Sequence, residues 1–436
     1  MTTEPAELVR RSTVRSVVIS PLLLWGAFLV VHVWLEYLNL YGKGLPLGDV
    51  SIVYKFWTDQ AVVSHYLVGI DGSWVYPILA LVPMLLARAF GPELYSSTWL
   101  SLVMVLDVVA FGVLTGWGRR RNHTLAGWWW ILFLVLLGPI ALGRIDAVSV
   151  PIALVGVLYI ATRPQLAASL LTIATWIKVW PAAIIIAMVV MVKDRFRIVA
   201  AAATTSLIII GVALALGSGP NVFSFISQQS SRGLQVEAPV TTFWLWAALA
   251  HFPNTFLYYD HDFLTWQVRG PGVETTSALM TPLLGLVMLA ITIIAFLALR
   301  RGISMDRLLA PLGLAYVVAL IAVNKVGSPQ YIAWLAVPVI LGLVGSASGR
   351  GVSFRTPAAL SAIIAALTQV IYPYLYEYLL GLDLWMLVVI SLRNLALFVL
   401  LAWALVALWR DSSAVPVIRH SPEAEHQRSV TVRAVR

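Results

Sequence analysis

The chain has 436 residues, of which 60% are hydrophobic and 11% are charged, and it carries a formal net charge of +9 with no cysteine. Soluble domains hold about 25% charged residues, so this composition excludes an ordinary soluble protein and indicates a polytopic protein of the lipid bilayer. The lack of cysteine excludes disulfides and cysteine metal sites, and we assign the positive charge to loops at an anionic membrane surface rather than to nucleic-acid binding.

The first apolar stretch, residues 17–38, is long enough to cross the roughly 30 Å core of a bilayer. The arginines within 10–15 precede it, which predicts that residues 1–15 form a cytoplasmic N-terminus. No small-residue cleavage site follows, so we interpret the stretch as a signal anchor. Residues 76–90 are shorter and contain two prolines. We expect them to lie in or dip into the membrane interface without crossing it.

The hydropathy pattern predicts an all-α protein with about twelve membrane spans in one transmembrane domain, residues 16–410. The predicted spans are 16–38, 95–117, 125–142, 147–162, 166–179, 181–192, 198–216, 277–299, 308–324, 329–346, 357–376 and 384–408. With the N-terminus inside, every loop rich in Lys and Arg then faces the cytoplasm, as the positive-inside tendency requires. The polar tail, residues 411–436, lacks periodicity and is predicted to be disordered and cytoplasmic.

The opposite face receives segments in which acidic, basic, amide and tyrosine side chains are mixed. The longest are a first exoplasmic loop, residues 39–94, and a second one, residues 217–276. Because the basic loops serve membrane insertion, this asymmetry predicts an active site on the exterior side of a multi-pass plasma-membrane protein.

The stretch "PLGDVSIVYKFWTD" (46–59) raises the main question, because Asp49 follows the first span directly. One interpretation is a carboxylate that caps a short interfacial helix, and the other is a functional carboxylate near Tyr54, Trp57 and Tyr76. From the residues alone the two are about equally supported. Asp59 has no comparable context and is expected to be an ordinary interfacial residue.

Two short segments place cations near the membrane edge. In "GRID" (143–146), Arg144 and Asp146 fit either a plain turn with a helix start or a contact to phosphate or sugar. In "TWIKVWP" (175–181), Lys178 lies in an apolar run, where a charge costs roughly 2.5–3.5 kcal/mol unless it snorkels, pairs or lines a cavity. Pro181 breaks the helix beside this cation, which also fits an anion site.

Two further segments hold polar residues on the same predicted face. In "SRGLQVEAP" (231–239), Arg232 suits phosphate, while Gln235 and Glu237 suit sugar hydroxyls. In "NKVGSPQYIAW" (324–334) the residues of interest are Lys325, Gln330 and Tyr331. A solvated loop for the first segment and a polar turn with an interfacial tyrosine for the second are the plainer alternatives.

Two charges, Asp107 and Arg393, fall within predicted spans. Charges inside a membrane are usually paired, so we expect structural pairing, with each other as one candidate arrangement. The tyrosines at 372, 374, 376 and 378 are expected to form an interfacial aromatic belt. The sequence contains no G-x-x-x-x-G-K-[ST], H-E-x-x-H or G-x-S-x-G motif, so nucleotide and zinc chemistry have little support.

Seven motifs in this order resemble glycosyltransferase family 87 of the GT-C superfamily. They are "GDVSIVYKFW", "VYPIL", "LDVV", "GRIDAVSVPIALV", "ATWIKVWPAAII", "SRGLQVEAP" and "NKVGSPQYIAWL". The resemblance covers roughly residues 15–410. It implies a GT-C fold with short exoplasmic interfacial helices, and an actinobacterial type of alpha-mannosyltransferase that uses polyprenyl-phosphate-mannose as donor and a glycolipid or lipoglycan as acceptor.

The resemblance also implies roles for individual residues. Asp49 matches the acidic residue of the first exoplasmic loop that serves as catalytic base. Ser51 stands where the wider superfamily often has a second carboxylate, so no metal and no cofactor are expected. The residues expected to bind the donor phosphate are Lys178, Arg232, Lys325 and Arg144. The residues expected to bind sugar or acceptor are Tyr54, Trp57, Tyr76, Asp146, Gln235, Glu237, Gln330 and Tyr331.

Two functions of other classes stay open at this point. A transporter or flippase of lipid-linked sugars would show an inverted repeat and polar residues near mid-membrane. We see no convincing repeat, and the polar clusters lie on one predicted face. A non-catalytic membrane subunit would tolerate substitution of Asp49.

Overall fold

The computed structural model describes residues 20–230 and 232–410, with only the backbone described for residues 229 and 230. The predictions for residues 1–15 and 411–436 therefore lie outside the described residues. Within these ranges the chain is mostly helical, with one two-stranded hairpin. The predicted class, an all-α polytopic membrane protein, is confirmed at this level.

Eight helical segments in the described chain are long and apolar enough to cross a membrane. They are Pro21–Tyr41, Tyr95–Thr115, Arg121–Ala141, Arg195–Ala215, Val273–Arg300, Met305–Ala322, Pro329–Ala347 and Leu384–Trp409. At 1.5 Å per residue, 20 helical residues cover about 30 Å, which matches the hydrocarbon core. In Arg195–Ala215 and in Val273–Arg300, only 17% of the residues in the apolar 18-residue stretch of the helix are buried in the protein. These two helices therefore need a lipid environment.

The other four predicted spans correspond to shorter helices, so the count of twelve is not confirmed. They are Asp146–Tyr159, Pro164–Ile177, Ala182–Met191 and Arg355–Ile371. Asp146–Tyr159 and Pro164–Ile177 pack closely, because a Cβ added at Gly156 would lie 3.0 Å from Leu171. The chain breaks at Lys178, which has an extended backbone, and the next helix follows Pro181.

Short helical segments connect and cover the long helices. Those of the first loop are Asp49–Tyr54, Lys55–Val63, Ile78–Ala80 and Leu81–Leu86, and the remainder are Gly219–Phe223, Ser224–Ser230, Pro239–Thr241, Thr242–Leu249 and Tyr376–Leu380. The long segments Arg121–Ala141 and Pro329–Ala347 combine 3₁₀ turns (Arg121–His123, Gly138–Ala141, Pro329–Leu335) with α-helices (Thr124–Leu137, Ala336–Ala347). Residues 76–90 thus contain no helix long enough to span, as predicted.

A hairpin lies within the segment 217–276, which was predicted only as a loop. Its strands are β1 (Phe256–Asp260) and β2 (Thr265–Arg269), paired antiparallel. The N–H of Val236 donates to the carbonyl of Trp266, and the N–H of Val268 donates to that of Leu234. The hairpin is therefore fixed to the chain segment that carries Arg232, Gln235 and Glu237.

The long helices give the molecule two chemically different ends. The first residue of Pro21–Tyr41 packs against Gly118, which lies in the first of the basic loops. Helix Pro21–Tyr41 then runs for 21 residues, and Asp49 follows its far end. Since this helix is about 30 Å long, Asp49 and the loop at Gly118 lie at opposite ends of the bundle.

The two charges inside predicted spans are paired, but not with each other. Asp107 Oδ2 lies 3.0 Å from His32 Nε2, and both residues are buried. Arg393 pairs instead with Glu237, 3.6 Å from Nη1 to Oε2. The prediction of structural pairing is confirmed, and the arrangement that joins Asp107 to Arg393 is wrong because each has a nearer partner.

Candidate active site

Asp49 opens one turn of π-helix, Asp49–Tyr54, directly before helix Lys55–Val63. Its backbone therefore begins a helical segment, as one interpretation expected, but its carboxylate points elsewhere. Asp49 Oδ2 lies 3.0 Å from Nε of Arg144. Single turns of π-helix are rare and frequently occur at functional sites.

Arg144 is buried and holds the turn around Asp49 together. Its guanidinium donates to the carbonyls of Pro46 (2.7 Å) and Gly143 (2.8 Å) and to the hydroxyl of Tyr372 (2.7 Å). A Cβ at Gly143 would lie 2.9 Å from the carbonyl oxygen of Pro46, so the turn needs glycine here. With these donors satisfied, Arg144 orients Oδ2 of Asp49 and leaves Oδ1 outside the ion pair.

Asp49 and Arg144 line a small pocket, which we call the carboxylate pocket, of about 200 Å³. Gln235, Glu237 and Gln330, predicted from two other segments, line the same pocket. This volume lies below the usual 300–1,000 Å³ of ligand sites, so the pocket can hold only part of a ligand.

Glu237 is the second carboxylate of this pocket, and it is 5% exposed. Nη2 of Arg393 donates to its backbone carbonyl at 2.6 Å, while Oε2 has no hydrogen-bond partner in the described chain. Burial raises the pKa of the Glu237 carboxyl to about 7, although the guanidinium groups of Arg393 and Arg144 both act to lower it. This side chain therefore changes protonation near neutral pH.

Lys178 and Asp146 form a second cluster, which we call the lysine cluster. Lys178 Nζ lies 3.6 Å from Asp146 Oδ2, and 4.8 Å and 5.4 Å from the ring centres of Tyr76 and Tyr331. Asp146 begins helix Asp146–Tyr159 and accepts a hydrogen bond of 2.6 Å from the indole of Trp334. Lys178 is thus paired in a buried site and does not snorkel, and the aromatic rings around it stabilise the cation.

The lysine cluster and the carboxylate pocket share the "GRID" turn. Arg144 points to Asp49 and Asp146 points to Lys178, so the two side chains of one turn serve different clusters. Tyr54 stabilises the turn, because its hydroxyl accepts a hydrogen bond of 3.2 Å from the N–H of Ile145.

Trp57 lies behind this arrangement rather than in it. Its ring contacts Tyr54 at 5.8 Å, Trp74 at 5.4 Å and Tyr76 at 6.0 Å between ring centres. Tyr54 and Trp57 therefore form an aromatic wall that positions Tyr76 and the "GRID" turn, and neither lines the carboxylate pocket.

Arg232 and Lys325 line a third site, a cavity of about 950 Å³ that we call the basic cavity. Its walls include the hairpin, the start of helix Val273–Arg300 and a third cation, Arg269. Burial and the Arg232 guanidinium lower the pKa of Lys325 below its ordinary value. An anion in this cavity would relieve the repulsion between the two cations.

A backbone hydrogen bond links a residue that lines the basic cavity to a residue that lines the carboxylate pocket. The backbone N–H of Gln235 donates to the carbonyl of Lys325 at 3.0 Å, and Gln235 lines the carboxylate pocket. All residues predicted for phosphate, sugar or acceptor binding thus belong to the carboxylate pocket, the basic cavity, the lysine cluster or the aromatic wall of Tyr54 and Trp57. Their roles in binding stay predictions.

Two tyrosines assigned to an aromatic belt have a different place. Tyr372 and Tyr376 line the carboxylate pocket, and Tyr372 bonds to Arg144. The belt prediction is wrong for these two and compatible with Tyr374 and Tyr378, which are exposed. The four-residue spacing of these tyrosines carried no reliable signal, because Tyr372 has an extended backbone and a turn separates it from helix Tyr376–Leu380.

Trp266 of the hairpin and Trp334 were also missed by sequence reasoning. Trp266 lines the carboxylate pocket, and Trp334 bonds to Asp146. Asp59 is bonded to Arg88, as suits an interfacial residue. No cluster of three His, Asp or Glu that could hold a metal occurs in the described ranges, and the expectation about cofactors stays a prediction.

The fold and these clusters define an all-α, multi-pass membrane protein whose buried polar side chains converge at one end of the bundle. A comparison of the chain with family models, with curated proteins and with solved structures finds no match. The resemblance to glycosyltransferase family 87 therefore rests on the sequence motifs alone.

Proposed function

We propose that the protein is a membrane glycosyltransferase of the family 87 type. It moves a mannosyl or related residue from a polyprenyl-phosphate donor to a lipid-anchored glycan acceptor. The observation that carries this proposal is the carboxylate of Asp49, oriented by buried Arg144 in a polar pocket beside a cation-lined cavity. Such a pair of sites suits a reaction in which a hydroxyl loses a proton while a phosphate leaves.

The chemistry follows from these positions. The acceptor hydroxyl donates to Asp49 and its oxygen attacks the anomeric carbon. The bond from that carbon to the phosphate oxygen breaks, and the lipid phosphate leaves with the electron pair while Asp49 takes the proton. A direct displacement of this kind inverts a beta-linked donor to an alpha-linked product. Removal of such a base typically slows a reaction by 10²–10⁴.

The cations divide into two roles. Lys178 and Arg232 interact electrostatically with each other, and we assign both to the leaving phosphate. Lys325 extends this positive field into the basic cavity. Preorganised cations stabilise developing negative charge more strongly in a buried site than in water. Arg144 contacts Asp49 directly, so we assign it to positioning the base rather than to the donor phosphate.

Glu237 is a second candidate base in the same pocket. Its pKa of about 7 suits proton transfer at neutral pH, whereas its Oε2 faces Arg393. We place the reaction at Asp49 because the π-helical turn and Arg144 orient this carboxylate. Substitution of each carboxylate separately distinguishes the two.

The orientation in the membrane is part of the proposal. The basic loops gather at the end opposite Asp49, and such loops favour the cytoplasmic side of a bilayer. We therefore propose a plasma-membrane protein with both termini in the cytoplasm and the active site facing the exterior.

The test uses membranes that contain the full-length protein and radiolabelled polyprenyl-phosphate-mannose, with the arabinose donor as a second arm. Asp49→Asn is expected to abolish label transfer to glycolipid while donor binding persists. The matched control is Asp59→Asn, which changes a carboxylate of the same loop that is likewise paired with an arginine. Normal turnover by Asp49→Asn would refute the base, and equal loss in both variants would point to folding instead.

A further inference from the structure

The opposite end of the bundle holds a cavity that the proposed reaction does not use. Its volume is about 660 Å³, within the range of ligand sites. It opens among residues from the basic loops, and we call it the cytoplasmic-end cavity. Because Gly118 of one such loop packs on the start of helix Pro21–Tyr41, this cavity lies about a membrane thickness from Asp49.

The mouth of this cavity is cationic. Arg120, Lys193, Arg307 and Arg350 line it, each from a different loop or helix start. Two carboxylates, Asp194 and Asp306, also line it, and Asp194 lies 4.0 Å from Arg197 outside the cavity. Basic side chains therefore outnumber acidic ones at the mouth, and the resulting positive potential attracts anions.

Apart from His123, the buried part of the lining is apolar. Val157, Met191 and Phe354 line the cavity and are almost fully buried, together with aliphatic residues of the neighbouring helices. A nucleotide or a free sugar phosphate would bury its hydroxyl and base groups against these walls without hydrogen bonds, which costs several kcal/mol. A molecule with an anionic head and an apolar tail matches both parts of the cavity.

We propose that the cytoplasmic-end cavity binds an anionic phospholipid of the surrounding bilayer. The phosphate lies among Arg120, Lys193, Arg307 and Arg350, and the first part of an acyl chain enters the apolar interior. This inference does not depend on the glycosyltransferase proposal, since it uses none of the residues near Asp49. It assigns a specific lipid site to loops that would otherwise serve only membrane insertion.

The first test changes the mouth. Arg120→Gln with Arg350→Gln removes two exposed cations, and Arg119→Gln with Arg355→Gln removes two exposed cations of the same end that do not line the cavity. Each basic residue near an anionic lipid contributes about fivefold in affinity, so the first pair should weaken binding about thirtyfold. The second pair should leave it unchanged.

The second test changes the interior. Gly345 lines the cavity, and a Cβ added there would have the Cα of Gly351 as its nearest neighbour at 3.9 Å, an ordinary van der Waals contact, so Gly345→Leu introduces an apolar side chain without a clash at Cβ. It should weaken phospholipid binding while all four cations remain. Thermal unfolding of each variant verifies that the fold is retained, and the arginine pair stands as an independent test if Gly345→Leu does not fold.

The measurement titrates the purified full-length protein with phosphatidylglycerol or phosphatidylcholine and quantifies the bound lipid by native mass spectrometry. The site would be supported if the wild type prefers phosphatidylglycerol, the Arg120/Arg350 variant loses this preference and the Arg119/Arg355 variant keeps it. Equal loss in both arginine pairs would overturn it in favour of general surface charge. Displacement of phosphatidylglycerol by millimolar inorganic phosphate would overturn it in favour of a free-anion site.

Discussion

Glu237 provides the sharpest test of the pocket, because it joins a buried carboxylate to a measurable pH dependence. Its pKa rises from the ordinary 4.5 to about 7 in the folded protein, mainly through burial. Between pH 4.5 and 7 the folded protein therefore keeps the proton on Glu237, whereas the unfolded chain has lost it. The contribution of this side chain to the free energy of unfolding is fully present below pH 4.5 and is lost as the pH rises through 7.

The magnitude follows from the shift. A change of about 2.5 pKa units corresponds to about 3 kcal/mol of unfolding free energy. Glu237→Gln keeps the shape of the protonated side chain and cannot ionise. The variant should match the wild type at pH 4.5 and exceed it by about 3 kcal/mol at pH 8, although it lacks the ion pair with Arg393. The pKa of about 7 already includes the attraction to Arg393, so the gain at pH 8 follows from the pKa shift even though the ion pair is lost.

The assay is unfolding of the detergent-solubilised protein at several pH values, with the difference between variant and wild type as the readout. Glu274→Gln is the control, because Glu274 is exposed at the start of helix Val273–Arg300. Its difference from wild type is the background against which the Glu237→Gln difference is compared. A Glu237→Gln difference that stays constant between pH 4.5 and 8 would refute the raised pKa.

Three further substitutions test the clusters. Arg144→Lys keeps the charge but cannot reproduce the guanidinium contacts to Asp49 and Tyr372. Transfer of the radiolabel should therefore fall at least tenfold, with membrane expression unchanged. Full transfer would show that Arg144 does not position Asp49. Lys178→Met leaves Asp146 buried without its cation and should lower the free energy of unfolding by about 3–5 kcal/mol in detergent unfolding, an effect that Lys178→Arg should largely avoid. Trp334→Phe removes the indole donor to Asp146 and should cost about 1.5–3 kcal/mol in the same assay, whereas no change would show that this bond contributes little.

The long helices were predictable because hydropathy is a local property of the sequence. Four of the twelve predicted spans correspond to shorter helices, which hydropathy alone does not distinguish from full spans. At the break after Ile177, Lys178 lies 3.6 Å from Asp146 and close to two aromatic rings, and hydropathy does not report these contacts.

The polar site was predictable in its members but not in its pairings. Arg144 and Asp146 of the "GRID" turn were among the predicted residues, and they contact Asp49 and Lys178. Their partners could not be inferred, since Tyr372 lies 228 residues from Arg144 and Trp334 lies 188 residues from Asp146. Such contacts depend on how helices pack, which the periodicity of one segment does not report. The hairpin, in contrast, carried a local signal, because β1 is rich in aromatic residues and β2 alternates polar with apolar residues.

The pair of Glu237 with Arg393 has a consequence for the depth of the site. Arg393 is the tenth residue of helix Leu384–Trp409, which puts it about 14 Å along the helix axis from the helix start. The side chain of this arginine reaches the loop carboxylate of Glu237, which lines the carboxylate pocket of about 200 Å³. Under the proposed function, a pocket this small would admit only part of an acceptor glycan, which favours addition of sugars at chain ends over addition along the sides of a polymer.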